Sequence, residues 1–116
     1  WRTDDGASGD TLMLQLFVNN GPSVGGGMQP SPNASFKDGE LHIVMIGALG
    51  LKTTLGQFRR LQSQRPFAHP DIHSFVCRSI ELEGPILDVE TDGEIAGGLP
   101  AKLWVCPASL LVRMPI

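Results

Sequence analysis

Carboxylates next to glycine are the residues in this chain best suited to chemistry. Asp92-Gly93-Glu94 sits between apolar runs in "VETDGEIAGGLPAKLWVCP", Val89 to Pro107. Asp-Gly between alternating segments is a strong hairpin signal, because glycine accepts positive φ and aspartate caps its own turn. The open question is whether those carboxylates also reach into an active site. A second Asp-Gly turn closes "NASFKDGE", Asn33 to Glu40. Such a turn can offer a carboxylate and nearby carbonyls to a hard cation, and magnesium favours oxygen donors of this kind. A plain structural turn is the competing reading at both places.

Other chemistries find less support. The triplet Gly25 to Gly27 lacks the helix that a phosphate cradle must open, since Gln29-Pro30-Ser31-Pro32 follows and prolines remove donors. Close backbone packing, or approach to a ligand held elsewhere, is its expected use. His69 and His73 have a zinc-like spacing, but Pro70 opposes a helix through both and no cysteine lies near, so a structural role is expected. No G-x-S-x-G is present, which removes the usual nucleophilic serine signature. Cys77 and Cys106 make no metal pattern, and they read as free, buried thiols in a reducing, cytoplasmic compartment.

The elements that must carry these turns are mostly strands. At 116 residues and 41% hydrophobic, the chain suits one domain with a real core. Fourteen glycines and nine prolines favour short strands and turns over a helical bundle. A net charge of −3 argues against a general nucleic-acid binder. The longest apolar run, Leu41 to Leu51, is too short to span a bilayer, which takes about 20 residues.

"RTDDGASGD" reads as a turn leading into a strand from Thr11. Asn19 to Phe36 is an irregular loop with four glycines and three prolines, so no helix runs through it. Leu41 to Ile46 is a buried strand by its β-branched content. Lys52 to Ser63 is the one helix: Leu51, Leu55, Phe58 and Leu61 or Gln62 recur at helical spacing as an inward stripe, with the arginines outward. Lys52, Arg59, Arg60 and Arg65 form either a solvated face or a patch for phosphate or anionic membrane. Ser74 to Glu83 alternates as a single strand, with Phe75, Cys77, Ser79 and Glu81 on one face and Val76, Arg78, Ile80 and Leu82 on the other. Ala101 to Cys106 and Ser109 to Met114 form a last pair of strands around Pro107-Ala108. The sum predicts a mainly β fold, an antiparallel β-sandwich with one appended helix.

In this order the motifs resemble the C-terminal domain of the diacylglycerol kinase-like lipid kinases, which include bacterial lipid kinases, sphingosine kinases and ceramide kinases. The resemblance runs from about Thr11 to Pro115. It rests on the glycine triplet, the Asp-Gly turn, the basic helix, the Asp-Gly-Glu turn and the closing "P-x-x-L-x-V". It implies a lipid-binding β-sandwich partnered by an N-terminal domain whose Gly-Gly-Asp-Gly-Thr loop holds ATP. That loop is absent from this sequence, and little precedes the first strand. Residues 1–116 therefore read as part of the C-terminal domain of a longer protein, inactive by itself. The resemblance further implies that Glu94 accepts the proton of a lipid hydroxyl, with Asp92 facing the nucleotide, and that Ser35, Asp38 and Glu40 hold a structural Mg2+. It implies a lipid substrate, peripheral contact with a membrane and no nucleic acid. The oligomeric state stays open, a homodimer included. A non-catalytic β-sandwich that binds a ligand or partner is the rival reading.

Overall fold

The computed structural model describes residues 1–113. Its strands are β1 (Arg2–Thr3), β2 (Met13–Asn19), β3 (Leu41–Gly47), β4 (Ile72–Cys77), β5 (Ser79–Leu82), β6 (Asp88–Thr91), β7 (Glu94–Gly98) and β8 (Ala101–Trp104), with one helix, α1 (Leu51–Gln62). Every strand pairing is antiparallel. One sheet has the order β2-β3-β4, a second β1-β5-β8, and β6-β7 forms a separate hairpin.

The order follows from burial. In β3, Leu41, Ile43 and Met45 face the second sheet and share a core with Cys77, Ile80 and Leu82. Leu16, Val18, Phe75 and Leu103 close around them. Ile80 is fully buried, which stabilises the fold by about 2–3 kcal/mol. Val44 and Ile46 are just as buried but point the other way, because alternate residues of a strand face opposite sides. On that side Phe17, opposite Val44, packs against Phe67, whose ring meets Phe58 of α1 at 5.8 Å. The protein is thus layered as sheet, sheet and helix, and β3 is buried on both faces.

Three expectations need correction. Ser74 to Glu83 is not one strand. It breaks at Arg78, and β4 and β5 belong to different sheets. The alternation inverts across the break, so that Ile80 and Leu82 join Cys77 inside instead of lying opposite it. The corner is held from a distance: Asp4 Oδ1 accepts the N–H groups of Arg78 at 2.8 Å and Ser79 at 3.0 Å. A backbone that changes sheets leaves donors without ladder partners, and this carboxylate supplies them. The N-terminal turn is therefore a clamp, with Thr3 Oγ1 donating to Asp5 inside it.

The closing strand pair also fails to form. Pro107-Ala108 does make a turn, but Ser109 to Arg113 are in no strand, and Leu110, Leu111 and Val112 are exposed. The rest of that expected strand lies outside the described residues.

The helix is where expected but rotated. Leu61 is its one buried residue. Leu51 and Leu55 are 76% and 50% exposed, so the inward stripe reduces to Phe58 and Leu61. At about 100° per residue Thr54, Phe58 and Leu61 span one arc, and Leu51, Leu55 and Arg59 continue from its edge, with Leu51 about 20° from Phe58. The aromatic contacts of Phe58 and the burial of Leu61 fix which arc faces the sheet.

Candidate functional site

The Asp92-Gly93-Glu94 turn is built as its residue types require. Thr91 pairs with Glu94, leaving a two-residue loop with φ of 49° at Asp92 and 85° at Gly93. Positive φ at both positions is the signature of the hairpin turn whose twist matches its strands. Glycine at the second position avoids the Cβ penalty. The hairpin stands out from the sandwich: Asp92 and Glu94 are exposed, and neither takes an ion pair or side-chain hydrogen bond among the described residues. An exposed, unengaged carboxylate is an available one.

The Asp38 turn is a small network. Asp38 Oδ1 accepts the N–H of Glu40 at 3.0 Å, and Oδ2 accepts that of Ser35 at 3.3 Å. His42 Nε2 lies 2.7 Å from Oδ2. These bonds favour the charged form and hold the Asp38 carboxyl below its usual range, the imidazole first and the Glu40 N–H next. Ser35 Oγ instead accepts the N–H of Lys37. Asp38, Glu40 and His42 place one ligand atom each within 4.8 Å of one another. Asp38 Oδ1 accepts a single bond and keeps lone-pair capacity, so two carboxylates here fit a hard cation.

Of the expected magnesium residues, Asp38 and Glu40 come together, and Ser35 joins them through its backbone. His42 was missed. Its signal was the spacing: Glu40 and His42 are two apart on extended chain and therefore share a face. Beside His42 lies a groove of about 360 Å³, with Ser31, Pro32, Phe67, Ser74 and Val76 in its walls.

The glycine triplet forms a single 3-10 turn that opens no helix. Gln64 Nε2 donates to the carbonyl of Gly27 at 3.0 Å, so the loop is packed against the end of α1. His69 Nδ1 accepts the N–H of Asp71. His69 and His73 enter no three-ligand grouping among the described residues. Both thiols are free, and Cys77 is buried as expected, but Cys106 is exposed because it follows the end of β8 at the Pro107 turn.

Residues 3–114 match the family model described as the YegS C-terminal NAD kinase beta sandwich-like domain. The chain belongs to this family. It is also 31% identical over 104 residues to proteins called diacylglycerol kinase in two strains of Mycobacterium tuberculosis, a match covering 90% of this chain and 33% of each relative. It is 32% identical over 108 residues to a probable lipid kinase YegS-like from Klebsiella pneumoniae (strain 342), covering 92% of this chain and 34% of that protein. The chain thus spans about a third of the length of these curated relatives. Membership agrees with the observed architecture of a mainly β, sandwich-like fold with one helix. No described helix is long and apolar enough to cross a membrane.

Proposed function

We propose that this chain is the lipid-side part of an ATP-dependent lipid kinase, with Glu94 as the general base. The reading rests above all on the Asp92-Gly93-Glu94 hairpin, whose carboxylates stand free at the tip of a turn in a chain of this family. The names of the relatives support the reaction class. The nucleotide phosphates are held by a separate domain of the parent protein, so residues 1–116 contribute lipid contacts and the base but do not catalyse alone.

Phosphoryl transfer depends mainly on positioning and charge neutralisation. The lipid hydroxyl oxygen forms a bond to the γ-phosphorus while the bond from that phosphorus to the ADP oxygen breaks. The hydroxyl proton passes to the Glu94 carboxylate, and Asp92 orients the approach from the nucleotide side. Asp38 and Glu40, with the Ser35 carbonyl, would hold a Mg2+, whose charge would steady the turn before β3. The acceptor is a diacylglycerol-like or sphingoid lipid, met through peripheral contact with a membrane.

The test is phosphate transfer from labelled ATP to diacylglycerol, sphingosine and ceramide by the intact parent protein and its Glu94→Gln variant. One lipid should be phosphorylated, and the variant should lose about 10²- to 10⁴-fold in rate with an unchanged melting curve. An equally fast variant removes Glu94 as the base. A parent inactive on every lipid returns the turn to a structural role and favours a ligand-binding sandwich.

A further inference from the structure

The face of α1 turned away from the sandwich carries an arrangement that a purely solvated helix does not need. Leu51, Leu55 and Arg59 follow one another at four-residue spacing, so they form a single ridge. Lys52 stands beside it, three residues from Leu55. Leu51 and Leu55 are 76% and 50% exposed, and Lys52 and Arg59 are exposed too. The fold supplies further apolar surface at the same end of the sheet. Met13 pairs with Gly47, four residues before the helix begins, and its neighbours Leu12 and Leu14 are 81% and 52% exposed.

Charge says what this face meets. From Leu41 to Pro70 the chain holds four of its nine Lys and Arg residues and none of its twelve Asp and Glu. The rest carries five basic residues against twelve acidic. A molecule that is acidic overall therefore concentrates its positive charge around the helix. Apolar side chains flanked by cations on one helix face are the arrangement of an interfacial helix, whose leucines enter the acyl boundary while Lys and Arg stay at the headgroups.

We propose that the Leu51–Leu55–Arg59 ridge, with Lys52, docks on an anionic lipid bilayer and orients the protein there. The acidic remainder of the chain is repelled by the same surface, which favours approach by the helix side. This deepens the proposed function and rests on it, since a kinase of membrane lipids must present one face to the membrane.

The test is co-sedimentation of the intact parent protein with vesicles of phosphatidylcholine, alone and mixed with phosphatidylglycerol. Each basic side chain near an anionic surface contributes about fivefold in affinity. Lys52→Gln with Arg59→Gln should therefore weaken binding to the mixed vesicles roughly twentyfold and leave the weak binding to neutral vesicles unchanged. Leu51→Ser with Leu55→Ser should weaken binding to both. All four residues are exposed, so both double variants should keep the wild-type melting curve. Undiminished vesicle binding by both variants overturns the proposal. So does light scattering in which the serine variant turns an oligomer into a monomer without changing vesicle binding, because the ridge then joins copies of the chain. Phosphorylation of micelle-dispersed lipid separates the two readings. Transfer in micelles without ridge-dependent docking sinks the docking alone. Ridge-dependent docking without transfer sinks the kinase reading alone.

Discussion

His42 Nε2 stands 2.7 Å from Asp38 Oδ2, so the second residue of the central strand grips the turn that precedes it. An ionised carboxylate only accepts, and the imidazole must present its N–H there. The grip fixes the carboxylate that, with Glu40, would offer oxygens to the proposed cation. Asp38→Asn keeps the size of the side chain and removes its charge. Titration of Mg2+ or Mn2+ into the intact parent by calorimetry should show at least a tenfold loss of affinity at this site. Unchanged binding would leave Asp38 as a turn former alone.

Leu61 and Leu55 are chemically identical residues about 120° apart around α1, one buried and the other half exposed. Leu61→Ala should cost about 3 kcal/mol, since it opens a cavity in a buried site. Leu55→Ala should stay within about 0.5 kcal/mol, as exposed substitutions do. Urea titration of the two variants measures the difference directly. Equal losses would mean that the helix is rotated from the orientation described.

Asp4 makes the β4–β5 corner sensitive to acid. The N–H groups of Ser79 and Arg78, in that order, hold its carboxyl below 3.8. A group with a lowered folded pKa contributes stability that is present above its unfolded pKa and lost as pH falls through the folded value. Asp4→Ala should therefore lower the melting temperature at neutral pH. The gap from wild type should narrow below pH 3.8, as the native carboxyl becomes protonated too. A gap that is the same at every pH would exclude the charge as its source.

The two thiols should react differently. Burial pushes Cys77 up to about 11, and the residue lies in the core, whereas Cys106 is exposed. A maleimide at neutral pH should label one thiol of this chain in the native state, at Cys106, and both after denaturation. Peptide mapping reads the site. Fast native labelling of Cys77 would contradict the sandwich core.

Gly93 has a φ of 85° with open space where a Cβ would sit. Gly93→Ala should thus cost only the left-handed conformational penalty, about 1 kcal/mol. If the hairpin positions the base, the same change should slow phosphate transfer severalfold while lipid affinity holds. A rate equal to wild type would detach the turn geometry from the chemistry.

Much of this was legible in the residues. Asp92-Gly93 specified its hairpin because two successive positive-φ positions admit few other residue pairs. Leu41 to Ile46 specified a buried strand by its β-branched content, in which His42 is the one polar residue. The order of the turns was enough to suggest the family, and membership bears that out. The corner at Arg78 was hidden, because a strand that changes sheets continues to alternate locally while its inward side inverts. Its partner, Asp4, lies 74 residues away in the chain, and local periodicity carries no information at that range. His42 escaped for a related reason: its spacing put it on the face of Glu40, but only the folded turn brings the Asp38 carboxylate back against it. The rotation of α1 was the least legible feature. Its apolar residues span more of the helix circumference than one contact can cover. Only the aromatic seat formed by Phe17, Phe58 and Phe67 decided which of them are buried, and so which leucines remain outside beside the cations.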